Sequence, residues 1–288
     1  MNDNPLFSVL IANYNNGKYL MDAIKSVYEQ TYTHWEIILV DDASTDNSHE
    51  LYKELEKDER IRIFYNDENH GCGYTKRRCA ELANGELCGF LDPDDAYTFD
   101  AIEIMVEEHS QSDEISLVYS NLFYCDDKLN IMSISQHQCS LSEGKTFLEY
   151  GNGAISHLAV FKREAYLQTC GIAPDMKRAV DHDLYFKLEE VGHIKYVPKP
   201  LYYYRQGTGC NISLGENSLP ALFWDYVAMI DACRRRNKSI EDLVLPRFID
   251  FILKYEKQLN SVYSSKTYKL GKMITMPYKV IKQIFNKI

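Results

Sequence analysis

Phe7–Ala12 (FSVLIA), Glu36–Val40 (EIILV) and Leu87–Leu91 (LCGFL) are short, unbroken apolar runs, and each stops abruptly on polar side chains. The stops are Asn13-Tyr14-Asn15, Asp41-Asp42 and Asp92-Pro93-Asp94-Asp95. A run of this kind suits a strand buried on both faces, which is the environment of a parallel sheet. Between the runs lie stretches with helical spacing. Lys18–Gln30 places Leu20, Ile24 and Val27 on one face, and Ser44-Thr45-Asp46 offers caps for a helix to about Lys57. A strand at Ile61–Tyr65, a helix at Tyr74–Ala83, a helix at about Asp100–His109 and a strand at Ile115–Ser120 continue the alternation. This rhythm predicts an α/β fold with a mostly parallel central sheet and helices on both faces. Ligands of such sheets bind beyond the carboxyl ends of the strands. All three polar clusters fall there.

Past the alternation the pattern is less regular. Tyr124–Ser135 reads as a hairpin turning at Asp126-Asp127, and Val180–Val191 as a helix. Tyr196–Arg205 reads as a strand that Pro198 and Pro200 confine to an edge or an irregular start. From about Leu219 the spacing is helical. The expected division is a nucleotide-binding and catalytic domain over residues 1–213 and a helical C-terminal region over residues 214–288. A length of 288 residues with 45% hydrophobic content supports a full core. The net charge of −10 argues against nucleic acid as a partner. No apolar run reaches the ~18 residues that span a bilayer, and no basic, apolar leader opens the chain. Eight scattered cysteines without a CxxC pair suit reduced thiols. The expected location is therefore cytoplasmic.

Asp92, Asp94 and Asp95 crowd negative charge onto one turn at a strand's end, where self-repulsion is costly. A hard divalent cation relieves that repulsion, and Mg²⁺ or Mn²⁺ prefers oxygen ligands. The same residues, with Pro93 among them, also suit a helix N-terminus. Asp41-Asp42 fits either a turn before a capped helix or an acceptor for nucleobase or ribose hydrogen bonds. Lys76, Arg77 and Arg78 suit a diphosphate or a solvated helix face. Gly71-Cys72-Gly73 is not a dinucleotide loop, since Lys76 occupies the third glycine's place. Asp181, in the run Ala179–Tyr185 (AVDHDLY), opens an amphipathic helix and serves as a general base or a cap.

Taken in order, these pieces resemble the GT-A glycosyltransferases of family 2. The resemblance rests on FSVLIANYNNGKYLMDAIKSVYEQTYTHWEIILVDDASTDNS, NHGCGYTKRRCAELANGELCGFLDPDDA and AVDHDLYFKLEEVG, and covers about residues 5–210. It implies a GT-A-like fold and inverting transfer of a sugar from a nucleotide-diphosphate donor to an acceptor hydroxyl. UDP-sugars are favoured over GDP- and dTDP-sugars, and the implied acceptor is a surface polysaccharide or a lipid-linked glycan. By the same resemblance Ala12, Tyr14, Asp41 and Asp42 belong to the nucleoside pocket and Lys76 to the donor site. Asp94 becomes the principal ligand of a divalent ion, Mn²⁺ or Mg²⁺, and Asp92 contacts the metal or the donor ribose. Asp181 becomes the catalytic base, with Asp183 as its rival. Three positions depart from the family's usual pattern: Val180, the helix sequence TKRRC, and Gln206-Gly207. Two rival functions are a non-catalytic relative that only binds nucleotide sugar, and a nucleotidyltransferase. The second needs a glycine-rich, basic signature after the first strand, where this chain has NYNNG.

Six lysines and no acidic residue lie between Val262 and Ile288, which leaves the rest of the chain at −16. Within Pro277–Ile288, Tyr278, Ile281, Ile284, Phe285 and Ile288 share one helical face. Such a helix packs on its own domain or lies in an anionic membrane surface, which makes peripheral attachment to the cytoplasmic face an expectation. The interfacial reading predicts that a chain ending at Tyr263 no longer sediments with anionic vesicles. Equal sedimentation of the two chains refutes it.

Overall fold

The computed structural model describes residues 4–150, 153–207 and 218–266. Contacts group the chain into two units, Met1–Asn237 and Lys238–Ile288. The boundary expected at residue 213 and the basic segment 277–288 both lie outside the described residues.

The first unit is a mixed sheet with helices. Its opening strands are β1 (Phe7–Asn13), β2 (Trp35–Asp41), β3 (Ile61–Tyr65) and β4 (Leu87–Phe90). They pair in parallel in the order β3-β2-β1-β4. The intervening helices are α1 (Gly17–Tyr28), α2 (Ser48–Leu55) and α3 (Cys72–Leu82). Strands β1, β2 and β4 are buried on both faces, as their unbroken apolar sequences require. On one side Val9, Ile11, Ile37 and Leu39 pack in a core with Leu20, Ile24 and Val27 of α1 and Tyr52 and Leu55 of α2.

The sheet then changes character. After β5 (Ala96–Tyr97) and α4 (Ala101–Ser110) comes β6 (Ile115–Cys125), longer than the sequence suggests. The expected hairpin forms with β7 (Ile131–Ile134). Next are α5 (Phe147–Tyr150), β8 (Ala159–Lys162), α6 (Arg163–Leu167), α7 (Val180–Glu189) and β9 (His193–Arg205). The full order is β3-β2-β1-β4-β8-β6-β9-β5, with β7 beside β6 and β8 antiparallel to both neighbours. Pro198 and Pro200 sit where the β6–β9 register shifts, and β5 covers only Tyr202 and Tyr203 of β9. The prolines therefore occupy a stretch of β9 that β6 pairs on one side only, where a missing amide donor is tolerated. Helix α8 (Ser218–Arg235) completes the described part of this unit.

Register sets the functional rim. Asn13 pairs with Asp41, and Leu10 pairs with Phe90, so the polar residues beyond β1, β2 and β4 emerge at one edge. Gly73 brings a second segment to that edge. Its amide donates to the Met176 carbonyl at 2.9 Å, and a Cβ there would stand 2.4 Å from the same oxygen. Only glycine permits that approach, which ties α3 to the stretch leading into α7.

The second unit contains α9 (Ile240–Leu243), capped by the Ser239 hydroxyl accepting from the Asp242 amide, and α10 (Leu245–Ser264). Leu245, Phe248, Ile249, Ile252 and Leu253 of α10 are exposed. Among the described residues no helix is long and apolar enough to cross a membrane.

Glu36 ties several elements at the opposite end of the strands from the rim. Its carboxylate accepts from Ser8 Oγ at 2.7 Å, the Asn84 amide at 2.7 Å, Asn84 Nδ2 at 3.1 Å and Arg62 at 3.2 Å. Burial raises its pKa, but these donors outweigh burial and hold it below the ordinary glutamate value. A depressed folded-state pKa stabilises above the unfolded value, and that stability is lost as pH falls through the folded pKa. Glu36→Gln should cost about 1–2 kcal/mol at neutral pH. Urea unfolding should find the gap between wild type and variant closing as pH drops below the usual glutamate range. A gap that widens in acid would contradict the assignment.

Candidate active site

A cavity of about 890 Å³ opens along the rim. Ala12, Tyr14, Asp42, Lys76, Asp92, Asp94 and Asp181 all line it. Of the donor-site residues implied by the resemblance, Asp41 does not. Its carboxylate is buried, accepting from Tyr52 Oη at 2.6 Å and from the Ser44 amide at 2.9 Å. It organises the turn into α2, while Asp42 faces the cavity.

Asp42 is itself held firmly. Its Oδ1 accepts from Asn66 Nδ2 at 2.7 Å and the His70 amide at 3.0 Å, and its Oδ2 from the Gly71 amide at 2.8 Å. Gly71 adopts φ +92°, a conformation that favours glycine, and so turns its N–H toward the carboxylate. Tyr14 leaves half its surface exposed above this corner.

The Asp92–Asp95 turn lies where β4 leaves the sheet. Asp92 meets Lys76 Nζ at 2.9 Å and His157 Nε2 at 3.4 Å. Burial raises the Asp92 pKa, but Lys76 and His157 prevail and hold it at about 2. Burial opposes the charge on Lys76 as well, yet the Asp92 carboxylate keeps its pKa above the usual lysine value. Asp95 is pushed well up, first by burial and then by the neighbouring Asp94 and Asp92 carboxylates.

A residue not singled out in the sequence holds this turn. Arg205, at the end of β9, is 1% exposed. Its amide donates to Asp95 Oδ1 at 2.8 Å, and its guanidinium donates to the Asp94 carbonyl at 2.6 Å. It also reaches the Asp127 carbonyl at 2.5 Å and Asp22 at 2.7 Å, and packs over the Tyr19 ring. The only signal in the sequence was an arginine ending an apolar strand.

Asp181 and Asp183 part company. Asp181, in the first turn of α7, lines the cavity. Burial raises its pKa, but His182 above all, with His157 and Lys76, brings it below the usual aspartate value. Asp183 is buried in an ion pair with Lys187 at 2.7 Å and accepts from the Ala173 amide at 2.9 Å. Ala179, which precedes α7, takes a left-handed conformation, φ 52°, in a region that ordinary residues enter at a cost. Ala221, Leu222 and Asp225 of α8 close the same cavity, and Asp225 meets His182 at 2.6 Å. No sequence signal marked this helix as a wall of the site.

Arg77 and Arg78, offered by the sequence as diphosphate partners, are engaged elsewhere. Arg77 donates to Glu81 and to the Cys170 and Ile172 carbonyls, and Arg78 to the Tyr65 carbonyl and Asn66. Besides Lys76, the lysine and arginine side chains along the cavity among the described residues are Lys177 and Arg178. Among the described residues no group of three or more histidine, cysteine or acidic side chains is arranged to enclose a metal. The donor set of the Asp92–Asp95 turn nevertheless suits a magnesium-like ion, which takes one or two carboxylates and completes its shell with substrate phosphates.

The family model described as glycosyl transferase family 2 matches residues 8–168. The chain is 31% identical over 199 residues to chondroitin synthase of Escherichia coli, covering 69% of this chain and 28% of that protein. It is 40% identical over 104 residues to the putative teichuronic acid biosynthesis glycosyltransferase TuaG of Bacillus subtilis, covering 36% of this chain and 41% of that one. The matched stretches are thus well under half of either relative. Among solved structures, S. aureus TarS 1-349 in complex with UDP-GlcNAc superposes with a TM-score of 0.63 at 18% identity, over 77% of this chain and 66% of that chain. The complex of the same fragment with UDP gives a TM-score of 0.60. The fold is of the GT-A kind.

The Arg205 contacts make a specific forecast for the site. Arg205→Ala should destabilise the unit by about 3 kcal/mol, because buried acceptors lose their donor. Arg205→Lys should not restore that stability, since one ammonium cannot span the same carbonyls. Urea unfolding of both variants decides this, and a lysine variant as stable as wild type would contradict it.

Proposed function

The chain belongs to glycosyltransferase family 2, and on that premise we propose that it moves a sugar from a nucleoside-diphosphate donor to an acceptor hydroxyl with inversion. The observation that carries this reading is the meeting of Ala12, Tyr14, Asp42, Lys76, Asp92, Asp94 and Asp181, from separate segments, around one cavity. UDP-sugars are the favoured donors, a preference supported by the UDP and UDP-GlcNAc complexes of TarS. The acceptor class is a surface polysaccharide or lipid-linked glycan, in keeping with relatives named for chondroitin and teichuronic acid synthesis.

In this mechanism Tyr14 and Asp42 receive the nucleoside. Asp42 is pre-positioned for that role by the Asn66, His70 and Gly71 donors. Asp41 acts beneath it, shaping the turn. Asp94 and Asp92 would hold a Mn²⁺ or Mg²⁺ ion, which when bound would supply positive charge to offset that of the leaving diphosphate, and Lys76 steadies Asp92. Asp181 is ionised at neutral pH, so it can take the proton of the acceptor hydroxyl. That oxygen then forms its bond to the anomeric carbon as the bond to the diphosphate oxygen breaks, and the electron pair leaves with the diphosphate. One base and one displacement suffice, which is why no second carboxylate nucleophile is needed.

Two substitutions separate binding from transfer. Asp181→Asn should leave UDP affinity within about twofold and lower turnover by ~10²–10⁴-fold. Asp94→Ala should weaken UDP binding at least about tenfold in the presence of Mn²⁺, with little change in EDTA. Calorimetry and donor turnover measure these effects. Unimpaired turnover in Asp181→Asn would remove it from the base role, and unaltered Mn²⁺-dependent binding in Asp94→Ala would remove the metal assignment.

A further inference from the structure

Helix α8 lies beyond the segment matched by the family model, which ends at residue 168, yet it supplies a wall of the cavity. Ala221, Leu222 and Asp225 fall on one helical face, at spacings of one and four residues. At the far end of the same packing, Arg235 pairs with Glu190 at 2.9 Å and Arg236 with Glu189 at 2.6 Å. These pairs fix α8 along α7 and hold Asp225 against His182.

Asp225 is 4% exposed, and its Oδ1 meets His182 Nδ1 at 2.6 Å. Its Oδ2 is buried without a hydrogen-bond partner among the described residues. A buried carboxylate so poorly compensated persists only with an opposite charge beside it, and His182 is that charge. His182 follows Asp181 directly in the chain and lines the same cavity. The Phe147 ring lies 5.4 Å from the imidazole, edge on, and Tyr185 and Phe186 also flank it. The side chain of His182 is 18% exposed and that of Asp225 5%, so the pair is mostly buried.

We propose that Asp225 is a positioning residue for transfer, which acts through His182 to maintain a cation beside Asp181 so that α8 completes the active site. The proposal rests on the reading of Asp181 as the base.

The groups around the pair set the sign of the effect. His182 is faced by Asp225 from α8, by Asp181 and Tyr185 from its own helix, and by His157 from the loop before β8. Burial lowers the His182 pKa, but Asp225 overcomes it and raises the value to about 9. Asp181 is faced by His182, His157 and Lys76, which favour its ionised form, and by Asp92, which opposes it. Removing the Asp225 charge leaves His182 buried without its counter-ion, and the imidazole goes neutral. Asp181 then loses the charge that most favours its ionised form and keeps its proton to higher pH. The acid limb of the rate profile must move toward neutrality.

Proton NMR of the full chain should find His182 titrating near pH 9 in the wild type. In Asp225→Asn its proton affinity should fall about ten-thousandfold, as for a buried histidine without a counter-ion, which leaves the imidazole neutral down to the acid limb. With the nucleotide sugar selected by donor screening, Asp225→Asn should lose about tenfold in turnover on the acid limb while UDP affinity holds. Asp225→Glu should restore the wild-type profile, which a purely structural defect would not allow. His182→Gln should move the same limb, and adding Asp225→Asn to it should move it no further. A wild-type His182 that titrates as an ordinary histidine overturns the proposal. So does an unshifted profile in Asp225→Asn while Asp181→Asn is inactive. Full turnover in Asp181→Asn overturns the underlying base assignment instead, and this proposal with it.

Discussion

Three carboxylates within four residues make the turn beyond β4 costly to fold against a sheet end, and a buried arginine is what fixes the backbone of that turn. Arg205 reaches the Asp92–Asp95 turn through its backbone amide and its guanidinium, while Lys76 and His157 pair with Asp92. The turn is thereby fixed between the parallel strands on one side and β9 on the other. Asp94 stays on the cavity wall as a result. Without that clamp the acidic turn would have no defined position, and neither would a donor held by it.

How much of this was legible in the sequence follows from what each interaction depends on. The strands β1, β2 and β4 were readable because parallel strands buried on both faces demand continuous apolar runs, and those runs are visible as such. Asp42, Asp92, Asp94 and Asp181 were readable because acidic residues at strand or helix ends are conspicuous. Asp41 was indistinguishable from Asp42 in sequence, since only the direction of its side chain, toward Tyr52, sets it apart. Arg205 and Asp225 were invisible for a related reason. Each is joined to the site by contacts across more than a hundred or about forty residues of chain, and neither lies in a local pattern. The sheet's mixed half was also beyond reach, since strand direction in β8 and β9 is decided by long-range pairing.

The cavity's two sides have different origins. One is formed by strand ends and α3, within the stretch matched by the family model. The other comes from the segment around Lys177–His182 and from α8, which that model does not cover. A shared donor chemistry on the first side and a chain-specific acceptor on the second fit this division. Asp181 itself belongs to the second side.

The central claim is that the rim of the parallel strands binds a nucleoside diphosphate through a divalent ion. Thermal denaturation with UDP, GDP and dTDP, each in Mn²⁺, Mg²⁺ or EDTA, tests it most directly. The account predicts stabilisation by UDP above the other two, present with either metal and abolished by EDTA. No stabilisation by any nucleotide under any of these conditions would contradict it.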